Sequence, residues 1–261
     1  MRSARLGGLG PMLGKEIREA VRTGRLAVVL VAYLLVGLGS PLGAKTLPLL
    51  LDLVPPEQMG GVEILLTQDP TTADALVQYV KNFQMLPVLA VLLAMSAVAG
   101  ERARAILPML LARPLSRHAY LLAKVLVTGG LHVAGTVLAA AGCALYTRVL
   151  FGPVDPAAYL ALNGCLLVFV ASAAAVTILG STAFRSAGAA AGLGLGYTVA
   201  CFALAALPSL SRWTPASLLV VASDLVAGRV PQAPWTAVAI GAGVAIAALA
   251  AAHRILARRE I

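Results

Sequence analysis

The sequence predicts an all-α integral membrane protein with six transmembrane helices, on three observations. Hydrophobic residues fill 60% of 261 positions, only 12% are charged, and mean hydropathy is +0.90. Six stretches, 26–44, 82–100, 125–147, 156–184, 186–211 and 230–253, contain no Asp, Glu, Lys or Arg. About 20 residues cross a hydrocarbon core of ~30 Å, so each is long enough to span. The third observation is a lopsided placement of the basic residues. With both termini on one side, fifteen of the twenty Lys and Arg fall there: six before residue 26, five in 101–124, Arg185 and three after residue 253. The other side holds Lys45, Lys81, Arg148, Arg212 and Arg229. The positive-inside rule then predicts cytoplasmic termini, in a multi-pass protein of the cytoplasmic membrane.

The organisation predicted is a cytoplasmic helix over 1–25, a six-span domain over 26–256, and a tail at 257–261. Its spans lie at about 26–44, 82–100, 121–147, 157–182, 187–208 and 233–254. Trp213, Trp235, Tyr146 and Tyr159 then sit near the outer interface. No cleavable signal is expected, because the first apolar run follows a basic segment and suits a retained anchor.

Before the first span, MLGKEIREAVRTGR places Leu13, Ile17 and Val21 at i, i+4 and i+8. Lys15, Glu16, Arg18, Glu19 and Arg22 fall on the other face, so this helix should lie in the headgroup plane. The segment 45–81 is acidic, with Asp52, Glu57, Glu63, Asp69 and Asp74, and has no calcium-loop spacing. Thr71 and Asp74 form a capping-box pair that starts a helix running into the second span, and Pro87 should kink that span. His132 lies inside the third span, where a hydrogen bond to a neighbouring helix is the expected use. Gly188, Gly192 and Gly196 repeat G-x-x-x-G and predict close helix packing, within the chain or between two copies. Thr214 and Pro215 read as the N-cap and first position of a short apolar helix that Gly228 ends.

Gly100 to Lys124 lies between two spans and carries Arg102, Arg104, Arg113, Arg117 and Lys124 against one acid, Glu101. Its apolar residues recur at helical spacing, broken near Pro108 and Pro114. Such a segment is either a connector held by anionic headgroups or a docking surface for a cytoplasmic partner.

Enzyme chemistry is not written in the chain. Gly14-Lys15 lacks the other residues of a P-loop, and no H-E-x-x-H or G-x-S-x-G occurs. Cys143, Cys165 and Cys201 lie in apolar runs, without the clustering a disulfide framework or zinc site needs. The six uncharged stretches leave the span interiors without Asp, Glu, Lys or Arg, which disfavours an ion-coupled carrier.

Glu101, Pro114, Ser116, Arg117 and Lys124, in that order, resemble a pattern in permease subunits of ABC-2 type transporters. Ala105 and Ile106 stand where that family usually has Gly-Thr, and Pro108 is a further departure. The resemblance covers nearly the whole chain and extends to permeases associated with maturation of multicopper enzymes, including nitrous oxide reductase. It implies a permease subunit of an ATP-driven exporter, with no cofactor of its own and with ATP and Mg held by a separate ATPase subunit. It also implies a 2+2 assembly with a second permease copy, contacts with membrane lipids and none with nucleic acid. Glu101, Arg113, Pro114, Ser116, Arg117 and Lys124 become ATPase-coupling candidates. Leu13, Ile17, Arg18, Val21 and Arg22 become the residues of an elbow helix. The alternatives are a membrane assembly factor without ATPase coupling and, further off, an ion-coupled carrier.

Overall fold

The computed structural model describes residues 7–51, 69–106, 115–207 and 209–258, with side chains of 47–51 excepted. Among them there is no strand. Helix α1 (Leu9–Arg22) precedes α2 (Arg25–Leu51), the first of six helical stretches apolar and long enough to cross a membrane. The second stretch is built from α3 (Thr72–Phe83), α4 (Leu86–Ala94) and α5 (Ala99–Ala103). Spans three to six are α6 (Arg117–Leu150), α7 (Pro156–Ala183), α8 (Ala187–Ala205) and α10 (Pro234–Arg258). A short α9 (Ser217–Val226) lies between the last two.

Local chemistry explains most of the boundaries. Thr71 Oγ1 accepts from Asp74 N while Asp74 Oδ2 accepts from Thr71 N, the reciprocal arrangement expected from that pair. Span two breaks at Gln84–Met85, where Pro87 occupies the first turn of α4 and cannot donate to the helix before it. It breaks again between Met95 and Val98. There Ser181 of α7 receives Val98 N and Ala99 N at 3.0 Å each and donates to Met95 O at 2.9 Å. Those backbone groups are freed by the break, and in a membrane they need a partner from within the protein. Asp155, Ser116 and Ser186 cap α7, α6 and α8. Thr214 does not cap α9 as expected. Its hydroxyl donates to Ser211 O, and the chain makes tight 3₁₀-type turns before the helix begins. Gly228, at φ +68°, ends α9 just past its last turn.

Span four is the centre of the bundle. Two-thirds of its apolar window is buried, against 22% for spans five and six. Lipid tails are as apolar as leucine, so helix association here rests on close packing and hydrogen bonds. Spans one and three cross closely. A Cβ added to Gly37 would lie 2.4 Å from Ala139 O, and one on Gly135 would meet the Tyr33 ring. Phe83 meets Tyr33 and Tyr79 edge to face, with ring centroids 5.6 Å apart in each pair.

Among the described residues the glycine repeat does not make an intrachain seam. Gly192 and Gly196 are exposed with nothing within 4 Å of an added Cβ, and Gly188 meets only Ser186. Gly194 makes the close contact instead, against Thr177 and Val91. The period that marks 188, 192 and 196 places all three away from span four.

Candidate functional site: a buried charge cluster at one end of the bundle

One end of the bundle gathers α1, the end of span two, the start of span three and the ends of spans four and six. Met12, Val98, Tyr120, Leu121, Ile178 and Leu256 form an apolar floor there. Lys124, 3% exposed, stands on it with Nζ 2.9 Å from Glu16 Oε1 and 3.0 Å from Glu101 Oε1. Tyr120 donates to Glu101 Oε2 at 2.6 Å. Lys15 closes the group, pairing with Glu101, with Glu16 at 2.9 Å and with Glu19 at 3.2 Å. Arg25 approaches Glu19 at 3.6 Å from the start of span one.

Three cations thus face three carboxylates. A buried lysine is tolerated only when paired, because an uncompensated charge in low dielectric costs several kcal/mol, roughly. Burial alone would lower the Lys15 pKa. The hydrogen bonds Lys15 donates to Glu101 and Glu16, with their negative charge, outweigh it and hold the ammonium above the ordinary lysine value. Glu16, Glu19 and Glu101 lie close enough to hold a cation between them, but Lys15 and Lys124 already fill that role.

Two arginines finish the same end. Arg102 donates to Phe184 O and Thr182 O, closing the last turn of span four. Arg117 donates to Leu256 O at 3.2 Å and Ala257 O at 2.7 Å, closing span six. Both place a cation where unpaired carbonyls and the helix dipole favour one. Ser116 N also donates to Gly7 O, tying the start of span three to the N-terminal segment.

The structure therefore joins Glu101 with Lys124, places Ser116 as an N-cap and turns Arg117 toward span six. Arg113 and Pro114, with the rest of 107–114 in the middle of the 101–124 segment and the acids Asp52, Glu57 and Glu63, lie outside the described residues. On α1, Leu13 packs at the edge of the apolar floor, whereas Ile17 and Val21 are more than half exposed and Arg18 and Arg22 are exposed. The stripe that packs inward runs through Met12, Glu16 and Ala20, and of these only Glu16 belongs to the face expected to be polar. Glu16 is a correction to the sequence reading, which set it in solvent. Its signal was indirect: Lys124 opens an apolar run and needs a carboxylate, and few acids lie on its side. Tyr120 had no signal of its own.

Ala105 adopts φ +54°, a left-handed conformation that favours glycine, at the position where the family pattern has glycine. His132 is buried in span three and bonds Tyr33 of span one through Nδ1 at 2.9 Å, the interhelical use expected of it.

A family model described as "ABC-2 family transporter protein" matches residues 11–221. A protein of Bacillus subtilis (strain 168), described as "Uncharacterized transmembrane protein YxlG", is 30% identical over 223 residues. The match covers 82% of this chain and 83% of that protein.

Proposed function

The chain belongs to the ABC-2 family of transporter proteins, and we propose that within it the charge cluster transmits work done by a separate ATPase subunit. The family is a membrane transport component, and this chain is a multi-pass member of it. In the reading proposed, ATP and Mg are held by the ATPase, both termini and the 101–124 segment face the cytoplasm, and the cargo is exported across the inner membrane. The observation that carries it is the junction at Lys124. It binds α1, the end of span two and the start of span three into one unit at the end where basic residues collect. A push on that end moves three elements together.

A second copy is the proposed partner for span five, because Gly192, Gly196 and Val199 lie exposed along it at i, i+4 and i+7. Gly192→Leu should lower the dimer fraction in detergent while leaving the monomer folded.

Glu101→Gln tests the junction, since it removes the charge and keeps the shape. With the ATPase bound, spin labels on Val199→Cys in two copies should change separation when ATP and Mg are added to the wild-type assembly. In Glu101→Gln the separation should stay fixed while the ATPase still co-purifies. A wild-type response in Glu101→Gln would refute the junction's role. Failure of any ATPase to co-purify with the unaltered chain would refute the permease reading itself.

A further inference from the structure

Charge is not balanced all along α1. An open groove of about 380 Å³ runs along its outer side, lined by Pro11, Lys15, Arg18, Glu19, Arg22 and Thr23. Lys15 is committed to Glu16, Glu19 and Glu101, and Glu19 to Lys15 and Arg25. Arg18 and Arg22 are left over. Both are exposed, and neither guanidinium has an ion pair or hydrogen bond with a described residue. They stand at i and i+4 on one helix, where like charges repel and weaken it. An anion between them reverses that sign, and a phosphate suits two guanidinium forks.

The surroundings of the pair indicate what carries the phosphate. At about 100° per residue, Ile17, Val21, Arg18 and Arg22 follow one another around the helix. Ile17 is 53% exposed and Val21 57%, so an apolar ledge borders the two cations. Gly14 lies between Val21 and Arg18 in that order, and a Cβ added there would meet only Arg18 Nη2, at 3.9 Å. No side chain therefore separates the ledge from the charge. Gly24, at φ +73°, turns the chain out of α1, and span one starts at Arg25, three residues after Arg22. Helix α1 thus sits where hydrocarbon gives way to headgroups. A soluble anion would use the arginines and leave the ledge in water, whereas a lipid with an anionic headgroup uses both.

We propose that Arg18 and Arg22 hold the phosphate of an anionic phospholipid whose acyl chains lie along Ile17 and Val21. A zwitterionic lipid is the poorer ligand, because its own cation opposes the arginines. Lys15 and Glu19 belong to the same groove, so the lipid stands beside the charge cluster without replacing any of its ion pairs. The site does not depend on the coupling proposed above.

The test uses the full chain in phosphatidylcholine nanodiscs holding a trace of phosphatidylglycerol with a diazirine near the glycerol end of one acyl chain. Phosphatidylcholine of the same build is the comparison. Phosphatidylglycerol should label Ile17 and Val21 about twentyfold more, since each arginine at a headgroup contributes roughly fivefold. Arg18→Gln with Arg22→Gln should bring the two lipids to equal labelling in a protein that remains monodisperse, as neither side chain has an internal partner. Arg254→Gln with Arg258→Gln, which removes two exposed cations at the end of span six, should leave the preference intact. Excess glycerol phosphate in solution should not displace the label. Equal labelling by the two lipids in the unaltered chain would overturn the proposal. So would an equal loss of preference in the two double variants, the mark of a diffuse field rather than a site. Full displacement by glycerol phosphate would overturn it as well, because the ledge would then play no part. Loss of the labelling once the ATPase is bound would do the same, since the groove would then belong to that protein.

Discussion

The two ends of the bundle solve the same problem with different groups. At the end holding α1, full charges are buried, with Lys124 between Glu16 and Glu101. Toward the opposite end, buried polar groups are neutral. Tyr79 donates to Asn163 at 3.0 Å, Asn163 to Tyr159 O at 2.9 Å, and Tyr159 to Ala140 O at 2.7 Å. Asn82 donates to Ser40 at 2.9 Å, so this network also joins spans one to four. Neutral hydrogen bonds fix helix positions at modest energy. Paired charges cost more to bury and far more to separate, so the charged end holds firmly in one arrangement and fails abruptly when a partner leaves. A rigid scaffold suits the first kind, and an all-or-none joint suits the second.

The sharpest way to break that contrast is Lys124→Met, which leaves Glu16 and Glu101 beside Lys15 alone. A loss of about 3–5 kcal/mol is expected, read as a large fall in thermal midpoint or loss of the monodisperse species in detergent. Adding Glu16→Gln to Lys124→Met should recover part of that loss, since one stranded carboxylate is removed. A double-mutant cycle on the two positions should give a coupling of about 1–3 kcal/mol. Additive losses would mean that the pair does not act as a unit. At the neutral end Tyr79→Phe should cost only about 1 kcal/mol, as interhelical hydrogen bonds in membranes usually do. If thermal shift shows Tyr79→Phe to be as damaging as Lys124→Met, the two ends do not differ as argued. The smallest effect should be a gain. Ala105→Gly relieves a left-handed alanine and should stabilise by somewhat under about 1 kcal/mol, because glycine's extra unfolded freedom offsets part of the relief.

How far these ends could be read in advance depended on whether the information was local. Six apolar stretches, the Thr71–Asp74 pair and the break at Pro87 each follow from residues within a turn or two of one another, and all were legible. Glu101 and Lys124 stood out through the family pattern. Their partner Glu16 did not, because amphipathic reasoning sends every charged residue of a short helix to solvent. Only the tertiary demand of Lys124 reverses that for Glu16 while leaving Arg18 and Arg22 outside. The glycine repeat shows the same limit from the other side: period says that three glycines share a stripe, and not what the stripe faces. Span two's second break has neither proline nor glycine among Met95, Ser96, Ala97 and Val98, and the residue that satisfies it is 83 positions away from Val98.

That break gives the charged end a lever. Glu101 lies six residues past Met95, about 9 Å along a helix, so a 10° swing about the interruption carries its carboxylate about 1.6 Å. An ion pair at 3.0 Å does not survive such a displacement at full strength. Ser181 acts as the pivot pin, because it holds backbone on both sides of the gap from a span that is two-thirds buried. Gearing of this kind needs no bending of the long helices: a small angular change near the membrane surface is enough to engage or release Lys124.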